Sequence, residues 1–173
     1  MIKKFAIGLT LAVVAGLGVA AALPRTWKVE RSILIAAPAE KIVPLVVDLK
    51  RWQDWSPWTR AMDPALRNIY EGQQDGVGAK WSWLGPQMGS GKIEIVAVDA
   101  QSIEIEECIE SAEPNARAWF RFSAEGEGTR VTWRDEGTLP PLGGLFRATV
   151  EEELGAHFEK GLSKLKGIVE SKN

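Results

Sequence analysis

A chain of 173 residues with a formal net charge of −2 is long enough for one domain with a sizeable core, and its interspersed charges give no basic footprint for nucleic acid. Its single cysteine, Cys108, excludes an internal disulfide, and one cysteine with one histidine, His157, argues against a conventional zinc site, so no metal and no cofactor is expected. Eight tryptophans against one tyrosine point instead to large apolar volumes that must be filled or lined.

Lys3 and Lys4 precede an uncharged run from Phe5 to Leu23, rich in Ala and Gly. As a helix rising 1.5 Å per residue the run comes slightly short of a hydrocarbon core of about 30 Å. Two readings fit: an uncleaved anchor, or a signal peptide cut at the small residues Ala20, Ala21 and Ala22. Length favours the anchor, with residues 5–23 as the membrane contact. The expected division is residues 1–24 as membrane anchor or signal segment and residues 25–173 as the domain. Lys3 and Lys4 on one side nearly cancel Arg25, Lys28 and Arg31 on the other, so charge fixes orientation weakly. The domain is expected on the exported side, periplasmic or extracellular, and secreted if the segment is cleaved.

Beyond that segment, Val29 to Ile35 alternates as a strand does. "PAEKIVPLVVDL" follows, with Pro38 suited to a first helical turn and Ile42, Leu45, Val46 and Leu49 at helical spacing. Pro44 inside it is expected to kink or split the helix. Then comes "WQDWSPW", which holds Trp52, Trp55 and Trp58. Six strand signals succeed one another: Leu66 to Tyr70, "AKWSWLG", "GKIEIVAVD", "QSIEIEECIE", "ARAWFRFSA" and "TRVTWRDEG". The short linkers "DAQS", "SAEPN" and "EGEG" predict an antiparallel meander. "GSGK", residues 89–92, lacks the spacing of a phosphate loop and precedes a strand, so Gly89 and Gly91 read as hairpin glycines. From Leu145 to Glu170 the period turns helical, and Phe146, Val150, Leu154, Phe158, Leu162, Leu165 and Val169 form one apolar stripe.

Strand, helix pair, six strands and a long terminal helix make an α+β architecture: a curved antiparallel sheet wrapped around the C-terminal helix. This order, the opening "APAEKIVPLVVDLKRWQDWSPW" and the "VTWRDEG" strand before the last helix resemble the SRPBCC superfamily. More narrowly, the chain resembles the polyketide cyclase/dehydrase and lipid-transport family, of START-like helix-grip fold. The resemblance covers nearly everything after the anchor and implies a cavity for a hydrophobic small molecule between sheet and helix. It transfers no catalytic motif.

Strand parity sorts the candidate residues. Ile93, Ile95, Ala97, Ile103, Ile105, Glu107, Ala118, Phe120, Phe122, Val131, Trp133 and Asp135 share the concave face, with Trp81 and Trp83 pointing together. Glu94, Glu104, Glu106, Arg117, Arg121, Arg130 and Arg134 share the other, a solvated face inviting cross-strand pairing. The expected cavity lining is Trp81, Trp83, Ile93, Ile95, Ile105, Phe120, Phe122, Trp133, Leu154, His157 and Phe158. Trp52, Trp55 and Trp58 read as a structural plug at the helix junction, or as the cavity rim. His157 sits on the flank of the helical stripe as a packing residue. Inward carboxylates at Glu107 and Asp135 have raised pKa values or pair with a buried base such as Arg147, although the nearby "DEG" turn favours exposure for Asp135. Cys108 falls on the outer face.

These readings favour a membrane-anchored, non-catalytic binder of a lipid-like or polycyclic molecule. The alternative is a cyclase-like enzyme using Asp135, Glu107 or His157, and a third reading is a filled domain that only contacts a partner. Leu154→Asp, in mid-stripe, is expected to unfold the domain.

Overall fold

The computed structural model describes residue 18 and residues 20–171. The proposed N-terminal anchor therefore lies almost wholly outside the described residues, among which no helix is long and apolar enough to cross a membrane. Seven strands form one antiparallel sheet: β1 (Thr26–Ile35), β2 (Arg67–Gly72), β3 (Ala79–Gly85), β4 (Gly89–Val98), β5 (Ser102–Ile109), β6 (Ala116–Glu125) and β7 (Gly128–Thr138). Their spatial order is β1-β7-β6-β5-β4-β3-β2, so the meander from β2 to β7 is closed at its far edge by the first strand. Helices α1 (Ala39–Val47) and α2 (Trp52–Trp55) lie between β1 and β2, and the 24-residue α3 (Arg147–Glu170) follows β7.

Pro44 neither splits nor ends α1, which continues to Val47. In a helix this short, proline at the sixth position removes a single backbone bond. The chain turns instead at Asp48, whose carboxylate accepts the Lys50 N–H at 3.0 Å. The tryptophan cluster then completes the junction. A helix leaves its last carbonyls without partners. Here the Trp52 indole N–H donates to the Val46 carbonyl and the Trp55 indole N–H to the Leu45 carbonyl, each at 2.9 Å. Both rings are buried, and each satisfies its polar atom while filling the core. Trp58 lies beyond the four-residue α2, past Pro57, and is only half-buried.

The core is aromatic. Trp52 meets Trp55, Trp81, Phe120 and Trp133 at centroid distances of 5.0, 6.1, 5.8 and 5.8 Å. Trp133 stacks on Phe158 of α3 at 4.1 Å. Gly161 lets the helix come this close, because a Cβ there would stand 3.3 Å from the Trp133 ring. Leu162, Leu165 and Val169 continue the buried stripe toward the C-terminus. Toward the N-terminus the expected stripe fails. Val150 and Leu154 are half-buried, and Phe146 is 64% exposed in a 3-10 turn over Gly143–Phe146. The helix is thus buried along its C-terminal part and stands over open space at its start.

The outer face carries the cross-strand pairs that parity predicts: Arg117 with Glu104 (2.7 Å) and Glu106 (2.9 Å), and Lys80 with Glu94 (3.0 Å). Arg134 pairs with Glu136 and lies 5.2 Å over the Trp119 ring. Gly89, at φ +65°, opens β4 after the tight connection from β3, as a hairpin glycine should. Cys108 keeps its outward parity yet is buried.

Candidate functional site

Where α3 stands off the sheet a cleft opens, part of a hollow of about 1760 Å³ that also extends past the sheet edge to the outer-face residues Glu106, Arg117, Trp119 and Glu136. Its floor follows from strand register. One row across the sheet reads Trp27, Gly137, Ala116, Glu107, Ile93, Trp81 and Tyr70 on β1, β7, β6, β5, β4, β3 and β2. The next reads Val29, Asp135, Ala118, Ile105 and Ile95. Along β6 the inward residues shrink from Phe122 and Phe120 to Ala118 and Ala116, and Gly137 beside them has no side chain. A Cβ at Gly137 would fall 2.7 Å from the Trp27 ring and 2.8 Å from Ala116 Cβ. Large residues fill one end of the concave face; small ones leave the other end hollow.

Of the expected lining residues, Trp81, Trp83, Ile93, Leu154 and His157 stand on the cleft wall, together with Trp52 and Trp58. Ile95, Ile105, Phe120, Phe122, Trp133, Phe158 and the plug residue Trp55 are packed in the core, away from that wall. The physical reason is position along the strands: parity selects the concave face but not which end the helix covers. Gly91 gives Trp83 its place, since a Cβ at Gly91 would lie 2.2 Å from the Trp83 ring. His157 is half-buried with its ring 6.0 Å from that of Trp58. Sequence reasoning missed Trp27 and Arg147 as wall residues, and missed Val150. The small-residue pattern Ala116, Ala118, Gly137 is the signal that would have located them.

The floor is not wholly apolar. Asp135 is 4% and Glu107 8% exposed, so the expectation of a solvated Asp135 is overturned. β7 runs on to Thr138, which makes "DEG" strand rather than turn. Glu107 and Asp135 lie two strands apart, on either side of β6, and their carboxyls are near enough across its alanines for each to influence the other's ionisation. Burial pushes the Glu107 carboxyl up to about 7, and burial together with the charge of Glu107 holds Asp135 well above the usual carboxylate range. Two carboxyls this close share a proton and titrate as a pair. Arg147 is on the wall but reaches Glu151, at 3.4 Å, rather than either carboxyl. Among the described residues neither acid joins an ion pair, and Asp135 Oδ1 has no hydrogen-bond partner. No group of three or more potential metal ligands occurs among the described residues.

A curved sheet gripping a long helix, with a cleft between them, defines a helix-grip protein. The sequence model for "Polyketide cyclase / dehydrase and lipid transport" matches residues 26–170, and the chain belongs to that family, within the SRPBCC superfamily. Solved structures agree on the fold. One is the di-domain ARO/CYC StfQ from the steffimycin biosynthetic pathway, 14% identical at a TM-score of 0.66 over 86% of this chain and 52% of that one. Another is TTHA0849 from Thermus thermophilus, 23% identical at 0.60 over 84% and 99%. A third is SA2116 from Staphylococcus aureus, a protein of unknown function, 10% identical at 0.66 over 85% and 95%. No curated protein matches the chain.

Proposed function

We propose that the domain binds a hydrophobic small molecule, lipid-like or polycyclic, between sheet and α3 without transforming it. The observation that carries this is the cleft itself: part of a hollow of about 1760 Å³, walled by Trp27, Trp52, Trp58, Trp81 and Trp83, beside a core that is otherwise closely filled. Ligand sites of this kind are concave, mostly aromatic and aliphatic, with few polar groups. Family membership supports the same ligand class. The uncharged run at residues 5–23 supports a tether that holds the domain on the exported face of a membrane, or a cleaved leader that releases it.

A cyclase-like enzyme is the second reading, and one observation favours it. The buried Glu107–Asp135 pair supplies a proton donor and acceptor at the cleft floor, which general acid–base chemistry requires. Native mass spectrometry of the full chain purified from cells tests binding. A retained lipid-like or polycyclic mass, lost when Leu154→Trp fills the mouth, is expected. A clean apo mass with no binding of a hydrophobic dye would reject the cleft as a ligand site. Recovery of a mass chemically altered after incubation would move the enzyme reading to first place.

A further inference from the structure

We infer that the cleft takes ligands carrying an ammonium group on an apolar body, the cation lying against the carboxyls of Glu107 and Asp135. The inference rests on the cleft being a ligand site and deepens that reading. Buried acids are normally paired with a cation, because an unpaired buried charge is costly. Here the protein supplies no such partner: Asp135 has acidic Glu107 and Glu136 as its charged neighbours, and its Oδ1 accepts nothing. The two nearest arginines, Arg117 on the outer face of the sheet and Arg147 on α3, are already turned elsewhere. Arg117 is held by Glu104 and Glu106, and Arg147 reaches Glu151.

The remaining charged groups along the cleft are Lys28 on β1, Glu110 just after β5, and Glu151, Glu153 and His157 on α3, while Glu106 and Glu136 on the outer face are held by Arg117 and Arg134. Acids outnumber bases around the opening, so its potential favours a cation. Trp27 and Trp81 stand in the same floor row as Glu107, three strands to one side and two to the other, and an aromatic face attracts an ammonium group. An ammonium N–H donates to Asp135 Oδ1, the acceptor of the pair left open. Of its two protons the neutral pair gives one up to solvent and keeps the other between its oxygens, so that a single carboxylate charge meets the ammonium. Binding is therefore coupled to proton release and tightens as pH rises.

The test uses the full chain with two probes of the same ring and chain, pyrenebutylamine and pyrenebutanol, titrated calorimetrically at pH 5.5 and pH 8. The amine is expected to bind at least about tenfold more tightly than the alcohol at pH 8, and its advantage is expected to shrink at pH 5.5. The Glu107→Gln, Asp135→Asn double variant, nearly isosteric and uncharged, is expected to keep the alcohol and lose the preference. Buffers of different ionisation enthalpy read the released proton directly. Equal binding of both probes, unchanged in the variant, would overturn the ammonium site and leave the apolar cleft standing. A preference for the alcohol that weakens with pH would also overturn it, showing the pair to be a donor to neutral oxygen. Binding of neither probe would defeat the cleft itself and the inference with it.

Discussion

The two ends of the space between sheet and α3 are built from the same strands and differ in almost every physical respect. At one end Phe120, Phe122, Val131 and Trp133 meet Phe158, Leu162 and Leu165, and nothing is left open. At the other, Ala116 and Gly137 leave a hollow over which Val150 and Leu154 are only half-covered. The filled end holds the fold; the hollow end accepts buried carboxyls and a cleft that stability alone does not require. The lesson is that the cleft is a local shortage of side-chain volume, placed where the helix begins.

The sharpest way to break this comparison is truncation at each end. Phe158→Ala is expected to cost about 3–5 kcal/mol in urea unfolding, because the cavity it leaves cannot collapse. Leu154→Ala, already half-exposed at the cleft, is expected to cost much less, about 1 kcal/mol. Similar losses would mean that both ends are core. The structure also revises the sequence expectation for Leu154→Asp. A carboxylate there points into an open cleft, so that variant should fold, whereas Leu162→Asp should not.

A second measurement concerns pH. Between the unfolded carboxylate pKa of about 4 and the folded value of about 7 for Glu107, the native chain holds a proton that the unfolded chain has released. The stabilising contribution is full below about pH 4 and is lost as pH rises through about 7, at up to about 1.4 kcal/mol per pH unit for each proton held. Melting temperature should therefore fall over that range, and the Glu107→Gln, Asp135→Asn variant should flatten the slope. A wild-type profile that rises instead would place both acids in water.

Smaller effects sharpen the boundary. Trp52→Phe keeps most of the ring but strips the donor from the Val46 carbonyl, with an expected loss of about 1–2 kcal/mol by thermal or urea melts. Arg117→Ala on the outer face should cost under about 1 kcal/mol, since both its acid partners are solvent-screened.

Much of this was legible in the residues. Period and turn residues located all six meander strands and the terminal helix, and parity placed Glu107, Phe120 and Trp133 on the concave face. The tryptophan plug was legible as packing, though not as the partner of two helix-end carbonyls, because that role depends on the path taken around Asp48. The extent of the cleft was not read. Whether Phe158 or Leu154 faces open space depends on how far α3 lifts off the sheet, a three-dimensional offset that helical period does not encode. Asp135 was misplaced because "DEG" looks like a turn when taken alone and is strand when paired with Val29 and Ala118.

Strand β6 carries the transition between the two ends within ten residues. Its aromatic half is packed into the core and its alanine half runs to the cleft. The width of the cleft can therefore change by single methyl groups at residue 116 while the neighbouring phenylalanines keep the scaffold constant. The breadth of the cleft and the stability of the domain are thus written in different letters of one short word.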